Sequence, residues 1–140
     1  MRLQVLAVGR LRAPFEDDVA HYARLLSRQA RLELIELREH EAVGRRIDER
    51  THVVALDAEV GARRWEPTSE GLASFLAERQ MSGRDLAFVV GGPWGLPELG
   101  RIDARLSLGR LTLPHQLARV VLLEQLFRAH KILAGEPYHH

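Results

Sequence analysis

Two glycine-containing segments and the C-terminal tail hold the residue types that could do chemistry. The first segment, GGPWGL at residues 91–96, directly follows an apolar run at residues 86–90. Adjacent glycines let the backbone approach a ligand where a side chain would block it. The spacing differs from G-x-G-x-x-G and no Gly-Lys-Ser/Thr follows, which excludes the usual dinucleotide and Walker-type phosphate sites. Ligand binding and a tight turn that only reverses the chain are equally good interpretations.

The second segment, GRLTLPH at residues 109–115, is typical of a short strand that runs into a helix. Backbone N–H groups at the start of a helix are available to a ligand, and Leu111 and Leu113 could flank an adenine ring. An ordinary β–α junction explains the same residues, and from the residues alone it is the better interpretation.

The C-terminal tail, Pro137-Tyr138-His139-His140, is unusual for a chain end. Chain ends are usually polar and mobile, whereas this one carries an aromatic ring and two imidazoles. His139 or His140 could act as an acid or a base near neutral pH. A frayed end is the alternative interpretation, and His140 could also be the remnant of a purification tag.

Composition narrows the function classes. The 140 residues include 20 Lys and Arg against 19 Asp and Glu, a net charge of +1. This balance disfavours a stand-alone RNA-binding module that acts by overall charge, but it allows an enzyme with a local basic cleft. The chain has no cysteine and no cluster of metal ligands, so we expect no metal site. It also has no apolar run long enough for a membrane span and no signal-peptide pattern, so we expect a cytoplasmic protein.

The elements that must position these segments are those of an α/β domain with a mostly parallel sheet flanked by helices. Apolar and alternating runs predict strands at residues 3–8, 32–37, 52–56, 86–90 and 110–113. Helical spacing and capping residues predict helices at residues 16–27, at 67–82 before Gly83, from Pro97, and at 115–133. Residues 40–50 are highly charged and predict a weak helix or a loop. No linker or repeat is found, so we predict a single domain over residues 1–140.

The helix predicted at residues 115–133 is apolar on most of its circumference, with one polar stripe of Glu124, Arg128 and Lys131. A helix this apolar is buried on more than one side. Burial in its own core and burial by a second subunit explain the pattern equally well, and two-fold dimers are the commonest assemblies.

Ligands of open α/β sheets bind beyond the carboxyl ends of the strands. In this chain the rule points to three places, which follow Leu56, Val90 and Leu113.

The chain resembles the RlmH family of SPOUT methyltransferases. GGPWGL after an apolar strand and LTLPHQLARVVLLEQLFRAHKILAGEPYHH to the end of the chain carry the resemblance, and RLQVLAVGR and VALD match in order and position. The family methylates N3 of a pseudouridine in large-subunit ribosomal RNA, with S-adenosylmethionine as methyl donor. The resemblance therefore implies a metal-independent homodimeric transferase that acts on this RNA within the ribosome, and a trefoil knot in the C-terminal region.

The resemblance also implies roles for particular residues. The residues expected to contact the cofactor are Leu56, Gly92, Gly109, Arg110, Leu111, Thr112, Leu113 and Pro114. Tyr138 and His139 of one subunit are expected to reach the active site of the other. The imide nitrogen of pseudouridine must lose a proton, for which His139 is the first candidate base, and Arg128 is the alternative as a cation that stabilises the negative charge.

Two features depart from the family. Residues 38–50 form a shortened segment, and His140 stands where a basic residue often ends the chain. Both departures concern possible contacts to RNA. Two other functions stay open: a SPOUT enzyme that methylates another RNA, such as a tRNA ribose, and a non-catalytic α/β module that binds RNA or a nucleotide.

Overall fold

The computed structural model describes residues 1–39, 41, 43–56 and 65–138. In this part of the chain five strands and three α-helices are connected by short loops and one 3-10 turn. In chain order they are β1 (Arg2–Val8), α1 (Phe15–Ser27), β2 (Arg31–Leu37), the 3-10 turn (Val43–Arg45), β3 (His52–Leu56), α2 (Ser69–Ser82), β4 (Leu86–Val90), β5 (Ala104–Leu106) and α3 (His115–Leu133). None of the described helices is long and apolar enough to cross a membrane.

The five strands form one sheet in the order β2-β1-β4-β3-β5, and every pairing is parallel. The central strand β4 is buried throughout, as its continuous apolar sequence predicts. Its last residue, Val90, pairs with Ala7 of β1 and Leu56 of β3. The carboxyl ends of three strands therefore lie side by side at one edge of the sheet. The predicted parallel α/β architecture is confirmed.

All three helices cover one face of the sheet, and α3 packs against both α1 and α2. The core on this side includes Phe88, Leu26 of α1, Leu76 of α2 and Leu122 of α3. The opposite face is covered by shorter stretches, with Val43 and Ile47 on one side and the segment at residues 96–99 on the other. Thr68 accepts a hydrogen bond from the backbone N–H of Gly71 (3.0 Å), so α2 begins where its capping residue predicts.

Two predicted elements are wrong. Residues 110–113 form no strand, and the fifth strand is Ala104–Leu106, which pairs with β3. Leu106 is buried whereas Leu111 is 82% exposed, so burial of apolar surface favours pairing at the earlier stretch. No helix begins at Pro97 either, because Leu96 and Leu99 on either side of it pack against the second face of the sheet instead. The single domain and the C-terminal knot stay predictions.

Arg119 of α3 holds the end of β1. Its side chain is 5% exposed, and its Nη2 donates to the carbonyl oxygens of Val8 (2.6 Å) and Gly9 (2.7 Å). Burial disfavours the charged guanidinium and lowers its pKa. The two carbonyl groups have left their strand ladder at this point, and the guanidinium supplies the donors that they would otherwise lack.

We expect Arg119→Met to lower the free energy of unfolding by about 1–3 kcal/mol, because it leaves buried carbonyl groups without a donor. Urea denaturation of the variant measures this loss. The control is Arg24→Met, which changes an exposed arginine on α1. A loss no larger than that of the control would show that the Arg119 contacts contribute nothing to stability.

Candidate active site

A cavity of about 490 Å³ lies at the carboxyl edge of the sheet. Its walls include the ends of β3, β4 and β5, the loop at residues 91–96, the stretch at residues 108–113, and the first turn of α3. The volume falls within the ~300–1,000 Å³ that is typical of small-molecule sites. The position beyond the strand ends is the one that open α/β sheets use for ligands.

Five of the eight residues expected to contact the cofactor line this cavity: Leu56, Gly92, Gly109, Leu111 and Leu113. The other three, Arg110, Thr112 and Pro114, are exposed and are not part of its wall. From residue 109 to 114 the residues that line the cavity alternate with residues that do not. Leu111 both lines the cavity and is 82% exposed, so this stretch lies at the open rim of the cavity.

The loop at residues 91–96 is a tight turn in the cavity wall. Gly92 and Gly95 exchange two backbone hydrogen bonds, each 3.0 Å, and Trp94 at the tip is 79% exposed. A Cβ atom on Gly91 would lie 2.7 Å from the backbone of Gly95, and one on Gly92 would lie 3.0 Å from Cγ1 of Val8. The backbone contact therefore requires glycine at position 91, whereas a side chain at position 92 would require Val8 to shift, and the turn forms part of the cavity.

Arg105 and His115 are the ionisable side chains among the described residues that line the cavity. Burial lowers the pKa of His115, and the positive charges of Arg119 and Arg12 lower it further. The imidazole is therefore mostly neutral at neutral pH and can donate or accept a hydrogen bond. Sequence reasoning missed His115 as a site residue. The available signal was its place directly after the run at residues 109–114.

The C-terminal tail folds back onto α3 of its own chain. The hydroxyl group of Tyr138 donates to Oε1 of Glu124 (2.6 Å), and Nη2 of Arg128 donates to the same oxygen (2.5 Å). The guanidinium carbon of Arg128 lies 4.1 Å from the centre of the Tyr138 ring, a cation–π distance. Burial and the hydrogen bond to Glu124 raise the pKa of Tyr138 to about 12, so the side chain stays a neutral phenol.

Within one chain, Arg128 and Tyr138 lie away from the cavity. Ala118 of α3 lines the cavity, and Arg128 comes ten residues later, which is about 15 Å along a helix. Neither Arg128 nor Tyr138 belongs to the described cavity wall. His139 and His140 lie outside the described residues. Among the described residues, a single chain thus separates the expected cofactor contacts from Arg128 and Tyr138.

Comparison with known proteins identifies the family. The family model described as "Predicted SPOUT methyltransferase" matches residues 1–139. The chain belongs to the SPOUT methyltransferase family. This confirms the resemblance found in the sequence, and it makes the cavity the candidate site for methyl transfer.

The chain is similar to bacterial proteins named "Ribosomal RNA large subunit methyltransferase H". It is 47% identical to the protein of Rubrobacter xylanophilus over 157 positions, which cover 99% of this chain and 98% of the relative. It is 45% identical to that of Acidiphilium cryptum, covering 99% and 93% of the two chains. The chain has only 140 residues, so the alignment with the first relative includes positions that this SPOUT methyltransferase lacks. This agrees with a chain shortened relative to its family.

We expect Glu124→Gln to lower the pKa of Tyr138, because the neighbouring carboxylate disfavours the phenolate. Ultraviolet absorbance of tyrosinate during alkaline titration measures the change, and Tyr138→Phe identifies which signal belongs to this residue. If the signal of Tyr138 keeps its midpoint in Glu124→Gln, the tail does not dock on Glu124 in solution.

Proposed function

We propose that this protein transfers the methyl group of S-adenosylmethionine to N3 of a pseudouridine in large-subunit ribosomal RNA. The names of its full-length relatives support the RNA substrate, and the family supports methyl transfer. The observation that carries the proposal is the gathering of Leu56, Gly92, Gly109, Leu111 and Leu113 around one cavity. These residues come from three separate parts of the chain. We further propose that the enzyme acts in the cytoplasm, on RNA within the ribosome.

The residues of the cavity fit this methyl donor. Leu56, Leu111 and Leu113 offer apolar surface for the flat adenine ring, and the tight turn at residues 91–96 offers backbone groups. Arg105 places a guanidinium at the wall, and this group pairs well with a carboxylate such as that of the methionine part. The mostly neutral imidazole of His115 adds little positive charge that would oppose the charged sulfur of the donor.

The chemical tasks of the protein are orientation, exclusion of water and removal of a proton. When bound, S-adenosylmethionine supplies a methyl carbon activated by a positively charged sulfur. His139 is the proposed base, which takes the proton from N3 of the pseudouridine on a ring nitrogen. Arg128 is the proposed cation that stabilises the negative charge left on the base. Glu124 holds this guanidinium in place and raises its pKa.

We propose that the active unit is a homodimer in which the tail of one subunit completes the cavity of the other. The separation of Ala118 from Arg128 along α3 supports this arrangement, because it leaves Arg128 and Tyr138 of one chain outside the cavity wall of that chain. Apolar side chains of α3 and its surroundings are available for an interface, since Leu111 is 82% and Leu133 40% exposed. Sedimentation should give about twice the 15.9 kDa mass of the chain.

The function is tested with large ribosomal subunits from a strain that lacks the enzyme. We expect the purified protein to methylate them with labelled S-adenosylmethionine, and mass spectrometry of RNA digests to place the methyl group on a pseudouridine. Ala118→Phe narrows the cavity and should raise the dissociation constant for S-adenosylmethionine at least about tenfold, a loss of ~1.4 kcal/mol. Ala20→Phe, on an exposed position of α1, is the matched control.

Leu111→Ser is a second test in case Ala118→Phe does not fold. The side chain of Leu111 is mostly exposed, yet it lines the cavity. This variant should also weaken binding of the methyl donor. Methylation of a transfer RNA instead of the ribosomal subunit would identify a different substrate. Cofactor binding without methyl transfer to any RNA would contradict the proposed activity.

A mixing experiment tests whether the site is shared. When S-adenosylmethionine is kept well below the dissociation constant of Ala118→Phe, this variant and a chain that ends at Pro137 should each have little activity as homodimers. An equal mixture should recover about a quarter of the activity, because half of the dimers are mixed and each mixed dimer holds one complete site. No recovery, despite demonstrated subunit exchange between two folded parents, would mean that the tail serves its own chain or has no catalytic role.

A further inference from the structure

The loop between β1 and α1 is held by side chains at each residue from 8 to 12. Arg119 donates to the carbonyl oxygens of Val8 and Gly9, as described above. Gln116 binds the next part of the loop with both ends of its amide group. Its Nε2 donates to the carbonyl oxygen of Arg10 (2.8 Å), and its Oε1 accepts from the backbone N–H of Arg12 (2.9 Å).

The backbone of Leu11, which lies between Arg10 and Arg12, is held by a side chain as well. The backbone N–H of Leu11 donates to Oε2 of Glu36 on β2 (3.1 Å). Gln116 and Arg119 are each only 5% exposed, so two polar side chains are buried at this point. Burial of polar groups is unfavourable unless they form hydrogen bonds. The side chains that form these bonds determine the path of the loop.

The side chains of the loop lie in two environments, the core and the exposed surface. Leu11 packs against the main core, whereas Arg10 and Arg12 are exposed. Within the described residues neither guanidinium has an ion-pair partner. A rigid backbone therefore presents two permanent positive charges to the outside. Ordering such groups before binding reduces the entropy that a complex must lose.

The loop lies next to the cavity. Gln116 directly follows His115, which lines the cavity, and the charge of Arg12 contributes to the environment of that imidazole. On the other side, Gly92 of the cavity wall packs so closely on Val8 that a Cβ atom would lie 3.0 Å from it. Both ends of the loop thus adjoin residues of the candidate active site.

The position of these charges matters because the chain as a whole is nearly neutral, with a net charge of +1. Overall charge cannot provide much attraction for a polyanion, so binding of RNA must rely on local groups. The first turn of α1 carries Glu16, Asp17 and Asp18. The positive charges of Arg10 and Arg12 are thus followed in the chain by three acidic residues at the start of α1.

We propose that Arg10 and Arg12 bind phosphate groups of the RNA substrate and thereby position the target nucleotide over the cavity. This inference rests on the proposed function, since it takes ribosomal RNA as the substrate. Arginine suits the task because its planar guanidinium contacts phosphate oxygens in a bidentate manner. Phosphate contacts set the register of a nucleic acid on a protein without reading its sequence.

The test compares the double variants Arg10→Gln/Arg12→Gln and Arg24→Gln/Arg28→Gln. Both remove two positive charges, but Arg24 and Arg28 are exposed near the far end of α1. Binding to unmethylated large ribosomal subunits is measured by filter binding over a series of potassium chloride concentrations. For the loop variant we expect affinity to fall at least about tenfold at moderate salt, and the salt slope to decrease by about 0.7–0.9 per lost contact. The control should keep the slope of the unmodified protein.

Two further measurements make the result decisive. S-adenosylmethionine affinity by calorimetry and the sedimentation coefficient should be unchanged in the loop variant. Arg10→Lys/Arg12→Lys should keep the salt slope, because charge is retained, but should lose part of the affinity, because the bidentate contact is lost.

Several outcomes would overturn the proposal. An equal loss in the loop variant and the control would show that only net charge matters. An unchanged salt slope would exclude phosphate contacts, and dissociation of the dimer or loss of cofactor binding would show that the loop serves assembly or the cavity instead. Failure of the unmodified protein to bind or methylate the subunits would contradict the proposed function itself, which the unmodified arm of the experiment distinguishes.

Discussion

The contact between Arg119 and the end of β1 is the constraint on which the site depends. Beyond Val8 the backbone leaves the sheet, and its carbonyl groups need donors that no neighbouring strand supplies. Because these donors come from α3, the helix is held with its first turn against the carboxyl edge of the sheet. This places His115 and Ala118 in the cavity wall. The buried guanidinium of Arg119 therefore helps to determine both the path of the loop between β1 and α1 and the position of the α3 residues that line the candidate active site.

How far the sequence predicts the fold depends on what produces each pattern. The strands at residues 52–56 and 86–90 were predicted correctly because burial on both faces leaves a continuous apolar run. Residues 110–113 are predicted to form a strand, but their alternating leucines line the rim of the cavity instead. Alternation of apolar and polar residues favours a strand, and only the tertiary structure shows whether a second strand lies beside it.

The residues of the candidate site also divide into those that a sequence pattern predicts and those that only the tertiary structure shows. Leu56 and Gly92 could be located because they follow strands, and the ends of parallel strands converge at one edge. His115 directly follows the run at residues 109–114, but whether it lines the cavity depends on the rotation of α3 about its axis, which the tertiary packing of the helix determines. Arg128 presents a different difficulty. Its residue type suggests a catalytic role, but it lies about 15 Å along the helix from Ala118 in the cavity wall, and no pattern in a single sequence states which subunit a residue serves.

The tail shows why a shared site is physically reasonable for so short a chain. The contacts of Tyr138 with its own α3 include a hydrogen bond to Glu124, a cation–π contact with Arg128 and a ring contact with Phe127. Such contacts contribute on the order of 0.5–3 kcal/mol each, so a comparable set of contacts on a partner can replace them. Glu124 and Arg128 also pair with each other directly, four residues apart on α3. Under the proposed dimer, α3 then serves two sites, with its first turn in one cavity and its last turns beside the tail that completes the other.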